Sequence, residues 1–188
     1  METGKHLYVV DRKHWREWLE KNHDKEKEVW LVYYKKSSGK PRIPYGDAVD
    51  EALCYGWIDG KVKSMDAEKF AQRYTPRTSK SNLSVLNRER IYKLISQKKM
   101  TKAGLKAVAH VFDPKEKPKK LVIPSDILKA LKENKEAWKN FQKFSQTYKK
   151  IRIAYIESQG KHGTESYERA LRNFIKMTAK NKMFGMMP

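Results

Sequence analysis

The chain has 188 residues, 39% of them hydrophobic, which suffices for one substantial domain or a domain with a small appendage. Five Trp and ten Tyr supply core surface that a disordered chain lacks, and the single cysteine, Cys54, excludes an internal disulfide and a Cys-based zinc site. The formal net charge of +20 lies wholly after Gly60: residues 1–60 hold 11 basic and 11 acidic side chains, residues 61–188 hold 31 and 11. So one-sided a field attracts polyanions and repels cationic peptides.

Leu7–Val10 reads as a short strand, and Asp11 as the N-cap of a helix carrying Trp15, Trp18, Leu19 and Asn22 at helical spacing. Val29–Lys36 is β-branched and aromatic on both faces, the pattern of an interior strand. After the turn Ser37–Arg42, Pro44 suits the first turn of a helix through Ala48, Val49, Ala52 and Leu53 that ends near Gly56. Ile58–Ser64 and Lys69–Thr75 form two strands joined by a turn at Met65–Glu68. Ser81 or Asn82 is expected to cap a helix with Leu86, Ile91, Leu94 and Ile95 on its apolar face, and Thr101 starts a shorter one. The Pro- and Lys-rich run 113–120 is the linker expected between an α+β domain (residues 1–112) and a C-terminal helical unit (121–182). That unit shows three helical patterns, the first broken near Asn134 and the last capped by Thr164, followed by a frayed tail over 183–188. The fold class expected is α+β: a small mixed sheet with packed helices, followed by the helical unit.

The chemistry is carried by few residues. His6, His14, His23, His110 and His162 never pair at i, i+4, no glycine-rich phosphate loop follows a strand, and so neither metal nor cofactor is expected. Cys54 reads as a small core residue, and Asp47, Asp50 and Glu51 as a solvated helix face. Asp59, inside an apolar glycine-flanked turn, needs a partner, and Arg73 or Arg77 is the simplest. The densest constellation joins Trp57, Asp59, Arg73, Tyr74, Arg77, Ser81, Asn82, Asn87 and Arg88. A helix start offers unpaired N–H groups, arginine offers a planar fork, and together they predict a cleft for a phosphate- or carboxylate-bearing small molecule. The same residues also suit a capped helix braced by its arginines. Two alternatives stay open. Lysine faces such as Lys98, Lys99, Lys102 and Lys106, or Lys129, Lys132, Lys135 and Lys139, suit non-specific nucleic-acid binding. An enzyme acting on a small anionic metabolite would need Asp59 as its acid or base. No apolar run reaches the roughly 18 residues of a membrane span, and the first residues lack the apolar core of an export signal, so a cytoplasmic location is expected. The oligomeric state stays open.

The runs Trp30–Lys35, Tyr45–Gly60, Gln72–Arg77, Ser81–Arg90 and Met100–Leu105 resemble the YdeI/OmpD-associated (OmdA-like, "bacteriocin-protection") family over roughly residues 7–110. The C-terminal part is looser: Lys161–Leu171 reads KHGTESYERAL where the family commonly has an arginine-rich helix start. The resemblance implies a small cytosolic α+β protein of uncharacterised activity, with a label suggesting bacteriocin or stress resistance and no catalytic residues to carry over.

Overall fold

A computed structural model describes residues 4–115 and 120–187, so the expected linker, 113–120, lies partly outside the described residues. The chain divides into two compact units, Met1–Glu116 and Lys117–Met187. The expected α+β class holds, with a four-stranded mixed sheet in the first unit and a helical second unit. Among the described residues no helix is long and apolar enough to cross a membrane.

In the first unit Asp11 accepts the His14 N–H and opens α1, Arg12–Asn22, whose Trp15 and Leu19, one turn apart, are fully buried. The edge strand is shorter than expected: β1 is His6–Leu7, after which the chain leaves the edge to reach the Asp11 cap. β2, Val29–Tyr34, lies between β1 and β4, and the sheet order is β1-β2-β4-β3. β1 runs parallel to β2, β2 antiparallel to β4 (Lys69–Pro76), and β4 antiparallel to β3 (Trp57–Ser64). Between β2 and β3 comes α2, Tyr45–Cys54, with Pro44 at its cap position. α3 is Val85–Ser96 and α4 is Lys102–Val108, the latter capped by Thr101.

The start of α3 departs from expectation. Ser84, not Ser81 or Asn82, accepts the Asn87 N–H at 3.2 Å and caps the helix. Ser81 is occupied in a turn, where its hydroxyl takes the Thr78 N–H at 3.1 Å.

The second unit holds α5 (Ser125–Glu133), α6 (Lys135–Lys143), α7 (Gln146–Gln159) and α8 (Thr164–Ala179). Asn134 breaks the first pattern and caps α6 through its side chain. Thr164 is the first residue of α8, and Gly163, at φ +105°, takes the cap position in a backbone conformation that a side chain would strain. Ile127, Leu131, Phe141, Tyr148, Ile153, Ile156 and Phe174 form the core. The tail is not free, since Phe184 and Met187 pack on this core and the Phe184 N–H donates to the Tyr148 hydroxyl.

Candidate functional site

Strand alternation decides which side chains share the inner face of the sheet. Asp59 pairs with Tyr74 and Leu31 with Gln72, so Asp59, Gln72 and Tyr74 point the same way, toward the start of α2. There Tyr45 donates its hydroxyl to Asp59 Oδ2 at 2.5 Å, and the Gln72 amide lies 3.5 Å from the same oxygen while donating to the Gly60 carbonyl at 3.0 Å. The Tyr33 and Tyr74 hydroxyls meet at 3.3 Å behind them. Burial drives all three phenols up, with the Asp59 charge adding to it: Tyr33 to about 12, Tyr45 and Tyr74 higher. They are therefore hydrogen-bond donors at neutral pH.

Arg77 follows β4 directly and is only 8% exposed. Its backbone N–H is fixed on the Gly56 carbonyl at 2.8 Å, and Nη1 donates to the Asn82 carbonyl at 3.1 Å, so the loop 78–83 folds back over the guanidinium. Nε and Nη2 are buried and meet no acceptor among the described residues. Desolvation pulls this arginine below its ordinary pKa, and the charge opposing that is Asp59, which acts through space and forms no ion pair with it. Asp59 and Arg77 thus share one polar pole at the open end of β3 and β4.

The other expected site residues are placed elsewhere. Arg73 neighbours Tyr74 on β4 and so faces the opposite side of the sheet, where Nε bonds Glu28 at 2.7 Å. That bond holds the Glu28 carboxyl below its usual range. Asp59 therefore has no partner in Arg73. Arg88 reaches the Val111 carbonyl at 2.8 Å and lies over the Phe112 ring, bracing the segment after α4. Trp57 is a core residue whose indole donates to the His23 carbonyl, and Asn87 contributes its backbone to the Ser84 cap. Ser81 and Asn82 enter as loop backbone and turn. The expected cleft lined by three arginines does not assemble: Asp59 and Tyr74 share the inner face, Arg77 follows the strand near enough for Asp59 to act on it through space, and Arg73 and Arg88 are engaged elsewhere. Tyr33, Tyr45 and Gln72 complete the pole and were missed, although Gln72 follows from the two-residue period that places it beside Tyr74.

Also missed is an ionic network. Asp50 and Glu51, expected on a solvated face, are 7% and 1% exposed. Glu51 binds Arg12 and, at 2.6 Å, Arg16, both from α1, while Asp50 is paired with Arg90 of α3. Arg90 also donates to the Gly46 carbonyl. The network ties α1, α2 and α3 together, and its charges are mutually compensated. Cys54, fully buried beneath it, has its thiol pushed up to about 11 by burial, which leaves it protonated and unreactive at neutral pH.

The glycines of the signature have a packing role. Gly56 adopts φ +77°, and a β-carbon there would lie 2.5 Å from that of Ala107. A β-carbon on Gly104 would fall onto the Cys54 carbonyl, which Thr101 Oγ1 also engages at 2.6 Å. Among the described residues no group of three or more His, Cys, Asp and Glu side chains stands ready for a metal ion.

Comparison with known families divides the chain at the same region. A family model described as a domain of unknown function (DUF8412) matches residues 7–107, and one described as "Bacteriocin-protection, YdeI or OmpD-Associated" (OmdA) matches residues 120–181. The YdeI/OmpD-associated match therefore lies on the part of the chain whose resemblance is looser by motif, and the more motif-rich part carries the separate model. No curated protein and no solved structure matches the chain.

Proposed function

For a chain that belongs to the DUF8412 family through residues 7–107 and carries a YdeI/OmpD-associated region over 120–181, neither description naming a reaction, we propose a binding or accessory role in which the first unit takes a small phosphate- or carboxylate-bearing ligand at Arg77. The observation that carries this reading is the unsatisfied guanidinium. Two N–H-bearing nitrogens are buried without an acceptor among the described residues, and a buried charge without a hydrogen-bonded counter-charge costs several kcal/mol. An anion supplies both the acceptors and the charge. Tyr45 and Gln72 hold Asp59 by hydrogen bonds, and the carboxylate makes no ion pair with the guanidinium.

The bacteriocin-protection label fits an accessory role better than direct capture of the peptide, since a chain of net charge +20 repels cationic peptides. An enzymatic reading would assign Asp59 the proton transfer, and it rests on the same pole.

The test is thermal unfolding in phosphate against chloride at matched ionic strength. Ligands of the folded state raise its stability by mass action, so phosphate is expected to raise the Tm of the wild type and of Arg73→Ala, but not of Arg77→Met. Without ligand, Arg77→Met is expected to be at least as stable as wild type, because it removes an uncompensated buried charge. An Arg77→Met variant that loses stability, together with a wild type indifferent to phosphate, makes Arg77 purely structural.

A further inference from the structure

The second unit buries two cations that have no counter-ion among the described residues. Residues 117–188 hold 17 basic and 6 acidic side chains, and α7 places two of the basic ones, Lys149 and Arg152, on inward positions. They are 7% and 5% exposed. Lys149 Nζ donates to the Gln142 carbonyl at 2.9 Å and lies 5.0 Å from the Phe141 ring centroid. Arg152 lies over the rings of Tyr155 and Phe184, with its Nε bonded to nothing among the described residues. Neither forms an ion pair with an acidic side chain there. Carbonyls and ring faces lower the cost of a buried cation, but they do not cancel its charge.

Lys149 opens onto a groove of about 740 Å³ whose apolar lining is Leu121, Ile123, Trp138 and Phe141. Lys120 and Lys150 also line it, with two glutamines and, among the described residues, no acidic one. The volume falls in the range of small-molecule sites, roughly 300–1,000 Å³, and the lining of this open groove is mixed, an apolar wall beside polar and basic groups. A nucleic-acid backbone would gain little from the indole and phenyl surfaces, whereas a ligand with an apolar body removes them from water.

We infer that this groove binds an amphipathic carboxylate, with its anionic head on Lys149 and an acyl or aromatic body laid against Trp138, Phe141 and Ile123. The site is independent of Arg77. Desolvation holds the Lys149 ammonium below its ordinary pKa, and a bound carboxylate reverses that shift.

Trp138 is the single tryptophan of residues 117–188, so its indole N–H reports on this groove in the intact chain. The experiment follows that signal by nitrogen-15 NMR, assigned with Trp138→Phe, while decanoate or 2-naphthoate is added, and then the neutral decanol or 2-naphthylmethanol. At least one carboxylate is expected to shift the Trp138 signal saturably, and which one does so separates an acyl from an aromatic body. The matching alcohol is expected to bind about ten-fold more weakly, the scale of a charge-assisted hydrogen bond. Lys149→Met is expected to weaken the carboxylate by a similar factor and leave the alcohol unchanged. The acid–alcohol comparison needs no variant, so it decides the matter even if Lys149→Met fails to fold. Equal binding of acid and alcohol, a shift produced only by inorganic phosphate, an oligonucleotide or an acidic peptide, or no movement of Trp138 overturns the proposal.

Discussion

Arg90 and Arg77 are both buried in the first unit, and what separates them is the counter-charge. Arg90 is paired with Asp50 inside a network that also holds Arg12, Arg16 and Glu51. Among the described residues Arg77 has a backbone carbonyl contact and the distant field of Asp59. Breaking the pair leaves Asp50 with the longer Arg12 contact at 3.7 Å, so Arg90→Met is expected to cost about 3 kcal/mol, the lower end for a broken buried pair. Adding Asp50→Leu to it is expected to recover much of that loss, because both desolvated charges are then gone. Denaturant unfolding of the two single variants and the double variant checks this. Additive losses would mean that the pair is not coupled. Arg77→Met belongs to the opposite class, since no acidic side chain is left stranded within bonding distance.

At the scale of elements, local signals were legible where one residue type had one possible use. Asp11 caps the helix expected of it, the helix expected to start at Thr101 and the break expected near Asn134 both occur there, and the β3–β4 hairpin turns over Met65–Glu68 as the residues suggest. The start of α3 was not legible, because Ser81, Asn82 and Ser84 are all capping residues within four positions. The choice is made by Thr78, whose N–H and hydroxyl occupy Ser81 and leave Ser84 to the helix. Ser84→Ala is accordingly expected to cost about 1 kcal/mol, and Ser81→Ala clearly less, as read from urea midpoints. The reverse order would return the helix start to Ser81. The three-arginine cleft failed for a related reason. Arg73 and Tyr74 are adjacent on a strand and cannot face the same site, a constraint already present in the two-residue period. The α1–α2–α3 ionic network depends instead on tertiary contact, and nothing in the spacing of Asp47, Asp50 and Glu51 reveals that α1 and α3 bring arginines to them.

At the scale of the molecule, the charge imbalance and the two proposed sites are separable. The excess of basic over acidic residues after Gly60 cannot be neutralised within the chain, so weak polyanion binding is expected to accompany any specific ligand. For a single-stranded oligonucleotide, the logarithm of the binding constant is expected to fall with log salt by several units of slope, without sequence preference. Absence of binding even at ~50 mM salt excludes this electrostatic term. The central claim concerns a single guanidinium and is most directly tested by observing it. In a nitrogen-15 spectrum of the whole chain, the Arg77 Nε–H signal, identified by its loss in Arg77→Met, should shift saturably as phosphate is added at constant ionic strength. A signal that stays fixed while those of exposed arginines drift would contradict the account and leave Arg77 as a brace for its own loop.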